Sequence, residues 1–109
     1  MKTIYRTDRF IKEFSSFPDS TKEDLLALVH RYLNGERLPK TLFKTFSLDK
    51  KTRIQEFKVK DHRGNWRVVS CLVKKDGLAL IYAFHKKTQA LSEKDKNIIR
   101  KRVSEVQDE

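Results

Sequence analysis

Apolar residues along this chain recur with two different periods, and the switches between them mark the elements. The β-branched and aromatic run at residues 3–7, TIYRT, predicts a short first strand leading to Asp8 as a helix N-cap. Phe10, Ile11, Phe14 and Phe17 then share one face of a short helix that Pro18 ends. The next stretch has the clearest helical period. Ser20 and Glu23 have capping-box spacing, Leu25, Leu28, Val29, Tyr32 and Leu33 make one stripe, and Asn34-Gly35 supplies a stop. His30 falls on this helix among charged neighbours and reads as a surface residue. Residues 36–53 carry the anchors Leu38, Leu42, Phe43, Phe46 and Leu48 without a clean period, so they read as a connector with room for a helical turn.

At residues 54–60, IQEFKVK, the period becomes two. Phe57 and Val59 face one way; Glu56, Lys58 and Lys60 face the other. The loop Asp61-His62-Arg63-Gly64-Asn65 turns the chain into WRVVSCLV, and Asp76-Gly77 signals a hairpin into LALIYAF. After Ala90-Leu91, Ser92 with Asp95 three residues on caps a final helix, whose narrow stripe is Ile98, Ile99, Val103 and Val106. The expected fold is α+β: a small antiparallel sheet of the short N-terminal strand and a three-strand meander, packed by two N-terminal helices, with a C-terminal helix. At 109 residues the expectation is a single domain, 1–109, with one modest core.

Composition adds where the chemistry lies. Hydrophobic residues are 38% and charged residues 37%, and seven Phe with three Tyr argue for a folded chain over a disordered one. One cysteine excludes an internal disulfide. With neither a leader-like segment nor a long apolar run, the expected setting is the cytoplasm, with no membrane partner. The net charge of +10 is concentrated: 7 basic and 6 acidic residues lie in 1–39, 13 and 4 in 40–87, and five of each in 88–109. A middle segment that holds nearly all the excess suits a polyanion better than it suits general solubility.

Strand register sharpens that reading. A tight turn at Asp76-Gly77 sets Arg67 opposite Lys86 and Val69 opposite Phe84, and a simple loop before Trp66 sets Lys60 opposite Arg67. Lys58, Lys60, Arg67 and Lys86 then converge on one face at one end of the sheet, an arrangement that a slip of one residue scatters. At an effective dielectric of about 20, each close pair of cations costs on the order of 1–4 kcal/mol before screening, so an anion is expected among them. The phosphate of a nucleic acid fits, with counterion release as a further gain. Arg63 in the preceding loop and Trp66 at the strand start are candidate RNA contacts, Trp66 by stacking on an unpaired base if exposed. Tyr82 and Phe43 read as core. His85 adjoins the basic cluster. It reads either as a general acid or base beside lysines, or, by alternation, as a residue opposite Lys86 that packs beside Trp66; His62 is a second candidate. Cys71 sits among Val69, Leu72 and Val73 and reads as core. The single Cys and dispersed His have no zinc-like spacing, and no Gly-rich phosphate loop is present.

WRVVSCLV, LALIYAFHKKTQ and SEKDKNIIRKRVSEV resemble the RelE/ParE superfamily of toxins from type II toxin–antitoxin systems, most of all its HigB-like, phage-derived branch. The likeness is best over residues 54–106. It implies a ribosome-dependent mRNA endonuclease, or mRNA interferase, that needs no metal and turns the RNA's own 2′-hydroxyl on its phosphodiester. Carried over by motif, the catalytic residues are Lys58, Lys60, Arg67 and Lys87, with Lys86 the alternative that register favours, and His85 as a candidate acid or base. RelE itself uses a tyrosine beyond the basic motif, whereas no Tyr follows Tyr82 here; some HigB toxins use histidine and aspartate. The implied partners are a ribosome with its mRNA and a cognate antitoxin of helix-turn-helix type. The alternatives are a ParE-like inhibitor of DNA gyrase on the same fold and a small RNA-binding protein that does not cut.

Overall fold

The computed structural model describes residues 3–73, 77–88 and 90–107. Among these, the elements are β1 (Thr3–Arg6), α1 (Asp8–Ser15), α2 (Asp19–Leu33), β2 (Phe43–Ser47), β3 (Arg53–Asp61), β4 (Gly64–Val73), β5 (Gly77–Lys86) and α3 (Glu93–Gln107). The strands form one five-stranded sheet in the order β1-β5-β4-β3-β2. The expected α+β architecture is present, with two differences in the sheet. β1 runs parallel to β5, and part of the connector forms an edge strand, β2, antiparallel to β3. β2 escapes a pattern search because its two aromatics face opposite ways. Phe43 joins the cluster under α1 and α2, while Phe46 joins the cluster under α3.

The helix starts also differ from the pattern. Thr7, not Asp8, caps α1, its Oγ1 accepting from the Phe10 N–H at 3.2 Å; Asp8 sits in the first turn, where a carboxylate complements the helix dipole. α2 begins directly after Pro18, whose fixed φ of −59° sets the entry, so the Ser20–Glu23 box does not form. Asn34 ends α2, followed by Gly35 at φ +84°, as expected. Ile11 is exposed, outside the apolar face of α1.

Two cores flank the sheet. Beneath α1 and α2 lie Phe10, Phe14, Phe17, Leu25, Leu28, Val29, Phe57, Val68 and Leu80. Beneath α3 lie Ile54, Val69, Cys71, Ile81, Ile99 and Val103. This double coverage is why β4 and β5 read as near-continuous apolar runs. Rings from α1 form a column along the first core: Phe10 on Phe14 at 5.0 Å, Phe14 on Phe17 at 5.4 Å, Phe17 on Trp66 at 4.9 Å. β1 pairs with β5 only as far as Leu80. Beyond it, Glu13 of α1 accepts from the Ala83 N–H at 3.2 Å and from Arg102 of α3 at 2.8 Å, and Arg102 also donates to the Ile81 carbonyl at 3.0 Å. That bridge satisfies strand groups the short β1 leaves over and ties both helix layers to β5.

A bulge decides which side chains share a face. The turn residue Asp76 lies outside the described residues, but its flanks set the register. Val73 opposes Gly77, where a tight turn at Asp76-Gly77 would set it against Leu80. A three-residue offset reverses the parity and would put Lys86 on the face away from Arg67. The register then shifts between Val69 and Ser70, so that Ile81 is the extra residue and both Ile81 and Tyr82 pack under α3. Beyond the bulge Val69 opposes Tyr82 and Arg67 opposes Phe84, two residues from the expected pairing, which restores the parity. In the other hairpin Lys58 opposes Arg67 and Lys60 opposes Asn65, again an even displacement. Lys58, Lys60, Arg67 and Lys86 therefore do share a face.

Candidate nucleic-acid interface

The end of the sheet is shaped by the β3–β4 turn. Asp61 and Gly64 pair across it, with His62 and Arg63 at the tip. The Asp61 carboxylate organises the turn. It accepts from the Arg63 backbone N–H at 2.8 Å, from the Arg63 guanidinium at 2.7 and 3.2 Å, and from Trp66 Nε1 at 3.1 Å. The guanidinium bonds, chiefly, hold its pKa down to about 2. Gly64 has φ +125°, and a Cβ there would lie 2.7 Å from the Lys86 carbonyl oxygen and 2.9 Å from His85 Nε2. Both the backbone conformation and the close approach of β5 demand glycine. Gly64→Ala is therefore expected to destabilise the fold by about 1–3 kcal/mol, read from urea unfolding, and to disturb the His85 environment by NMR.

Around this turn an open cleft of ≈ 690 Å³ is lined by Lys60, Asp61, His62, Arg63, Gly64, Trp66, His85 and Lys87. Trp66 itself is buried, with the His85 ring stacked on it at 3.9 Å and 18° and the Arg63 guanidinium 5.2 Å from the ring centre. His85 lies on the face opposite Lys86 and packs beside Trp66, as strand alternation allows. Its Nε2 is 2.6 Å from the Arg63 carbonyl oxygen. A carbonyl only accepts, so Nε2 carries the proton and Nδ1 alone is left to exchange one.

The cationic face is less bare than the sequence suggested. Arg67, expected to face a substrate, is 1% exposed; its guanidinium is 3.3 Å from the carboxylate of buried Glu56 and donates to the Thr88 carbonyl at 3.2 Å. Lys86 is salt-bridged to Asp95 at the start of α3. Asp95 also accepts from the Tyr82 hydroxyl at 2.9 Å and forms the expected cap with Ser92. Burial pushes the Asp95 carboxyl upward, but Lys86, Ser92 and Tyr82 outweigh it and hold the pKa below the usual range. Arg67 and Lys86 are thus paired with carboxylates, and Glu56 also attracts the Lys58 ammonium, which reduces the expected repulsion. Lys58 is half-buried and Lys60 exposed. Burial, then the nearby Arg67 charge, lowers the Lys58 pKa from its ordinary 10.5, against the opposing pull of Glu56.

Of the sequence-predicted residues, the fold brings Lys60, Arg63, Trp66, His85 and Lys87 to one cleft, and Lys58 lies one alternation along β3 from Lys60. Arg67 and Lys86 lie behind them in ion pairs. Lys87 rather than Lys86 lines the cleft. Glu56 and Asp95 were not singled out from sequence. Alternation does place Glu56 beside Lys58, but nothing local signals that Asp95 meets Lys86, because that contact needs α3 docked on β5. Cys71 is buried, its thiol pKa pushed up to about 12 by that burial, and Tyr82 is buried as expected. Among the described residues no group of three or more His, Cys, Asp or Glu is placed to hold a metal ion, and no helix is long and apolar enough to cross a membrane.

The comparisons with known proteins agree with this architecture. No curated protein matches the chain. A solved structure of a double arginine-to-alanine mutant of the E. coli toxin RelE, in the free state, superposes with a TM-score of 0.61 at 16% identity, covering 94% of this chain and 97% of that one. That likeness is one of fold. Residues 12–104 match the family described as "Phage derived protein Gp49-like (DUF891)". Spanning most of the chain, both layers of helices and the cationic end of the sheet, that match places the protein in the phage-derived Gp49-like family, with a fold like that of RelE.

Proposed function

We propose that this protein is the toxin of a type II toxin–antitoxin pair, and that it acts as a ribosome-dependent endoribonuclease on mRNA. The observation that carries this reading is Lys58 and Lys60 side by side on the sheet face, with Lys60 continuing into a cleft edged by Arg63 and Lys87. Such a surface suits one strand of RNA, with a phosphate over the lysines.

The chemistry follows from the groups present. The 2′-hydroxyl attacks its adjacent phosphorus while the bond to the 5′-oxygen breaks, leaving a 2′,3′-cyclic phosphate and a 5′-hydroxyl. Lys58, with its lowered pKa, takes the 2′-proton. Lys60 and Lys87 stabilise the dianionic phosphorane and supply a proton to the departing 5′-oxygen. Arg67 is a positioning residue that fixes Glu56 and the backbone at Thr88 beneath the lysines. The antitoxin, a helix-turn-helix protein in this reading, inhibits by covering the same cationic end.

Induced expression followed by mapping of mRNA 5′ ends tests the proposal. New 5′-hydroxyl ends at codon spacing, dependent on ribosomes, are the expected result. Intact mRNA together with broken DNA would assign the chain to gyrase inhibition instead, and intact nucleic acids with salt-sensitive RNA binding would make it a non-cutting RNA-binding protein.

A further inference from the structure

We propose that His85 is a base-stacking residue: its outward ring face receives one unpaired nucleobase of the bound RNA. This inference rests on the RNA-directed reading above and assigns a different job to the histidine from proton transfer.

Three observations carry it. First, His85 is the last ring of a continuous column, Phe10, Phe14, Phe17, Trp66, His85, that runs from α1 through the core to the surface. Trp66 is covered by His85 on one side, packs edge-to-face with Phe17 and is buried, so its own faces are not offered to a ligand. His85 is exposed, so the column ends in an aromatic face turned to the cleft. Second, the ring is fixed. Stacking at 3.9 Å and 18° sets its plane, and the Nε2–H bond to the Arg63 carbonyl at 2.6 Å sets its rotation. A ring already held pays little entropy when a base lands on it. That same bond withdraws Nε2 from proton transfer. Third, the surroundings match a nucleotide. The cleft of ≈ 690 Å³ is bordered by Lys60, Arg63 and Lys87, so a base on His85 has cations within reach of its flanking phosphates. The base lies on the opposite face from Lys58, with Lys60 at the border between stack and phosphate.

The test compares His85→Phe with His85→Ala in a Lys58→Ala background, which keeps the RNA intact. Binding to ribosomes programmed with a short mRNA is followed by fluorescence quenching of a base analogue placed in turn at each position of that mRNA. Stacking on an aromatic residue accounts for roughly a 5- to 150-fold change in affinity. His85→Ala is expected to weaken binding by about tenfold or more and to abolish quenching at one position, while His85→Phe keeps both. Cleavage by each single variant, with Lys58 intact, should follow binding. A His85→Phe protein that binds and quenches normally but does not cut would show that His85 also transfers a proton, and would overturn its assignment as a stacking residue alone. RNA binding unchanged in His85→Ala, with matching thermal melts, would overturn it as well. Failure of the parent protein to bind the programmed ribosomes at all, by contrast, defeats the RNA-directed reading itself, whatever the variants do.

Discussion

Replacing Lys58 and Lys60 together by alanine should lower RNA cleavage by about 10³-fold or more, while the protein melts within a few degrees of the parent. The two ammonium groups stand on one strand face, opposite Arg67 and Asn65, and each has a distinct task. Lys58 is the residue whose charge the fold disfavours: burial and Arg67 both lower its pKa. At a given pH a larger fraction is therefore the free amine than for an ordinary lysine. Single-turnover cleavage should rise with pH through an apparent pKa below 10.5 and then level off. Lys58→Arg keeps the charge but cannot supply a base in that range, so its profile should lose the rising limb. Lys60→Ala should instead lower the rate without moving the limb. The structural effect is small because Lys60 is exposed and Lys58 half-buried. Lys12→Ala with Lys101→Ala makes the same change of net charge on exposed helical positions and serves as the control. If that control loses as much activity, long-range attraction of a polyanion explains the effect and the site is elsewhere.

Arg67→Ala is expected to destabilise the protein by about 3–5 kcal/mol, a third or more of a typical domain's stability, and to lower Tm by roughly 10–20 °C. Arg67 and Glu56 are both almost fully buried, 1% and 3% exposed, with charged atoms 3.3 Å apart. Removing the guanidinium leaves the Glu56 carboxylate in a low-dielectric setting, with Lys44 at 3.9 Å as a remaining partner, and frees the Thr88 carbonyl. Attraction within such a pair roughly offsets the desolvation of both ions, so the loss comes from stranding one partner. Replacing both, Arg67→Met with Glu56→Leu, should recover most of the stability in chemical denaturation. Activity should not recover with it, because the Lys58 environment would have lost both neighbouring charges. A stable Arg67→Ala protein would show that the pair contributes little to stability.

The elements were mostly legible because their signals are local. A stripe at helical spacing produced α2 and α3, alternation produced β3, and the apolar runs around Cys71 and Ile81 produced the two central strands. β2 was not legible, since Phe43 and Phe46 pack on opposite faces and show no alternation. The parallel pairing of β1 with β5 joins segments far apart in the chain, and nothing near Thr3 announces it. The expected face for Lys86 held only because two departures from the simple hairpin offset each other: an offset of three residues at the turn, then the bulge at Ile81.

By itself the sequence determined that cations gather at one end of a sheet, because charge and alternation are written residue by residue. Only the tertiary structure decided which carboxylates meet those cations. Glu56 meets Arg67 across two strands, and Asp95 meets Lys86 only once α3 is docked, so compensation depends on contacts between distant segments. The same holds for His85. Its place after Phe84 allowed either a proton-transfer group or a packing residue, and the Trp66 ring on one face with the Arg63 carbonyl at its edge fixed which face and which nitrogen remain open.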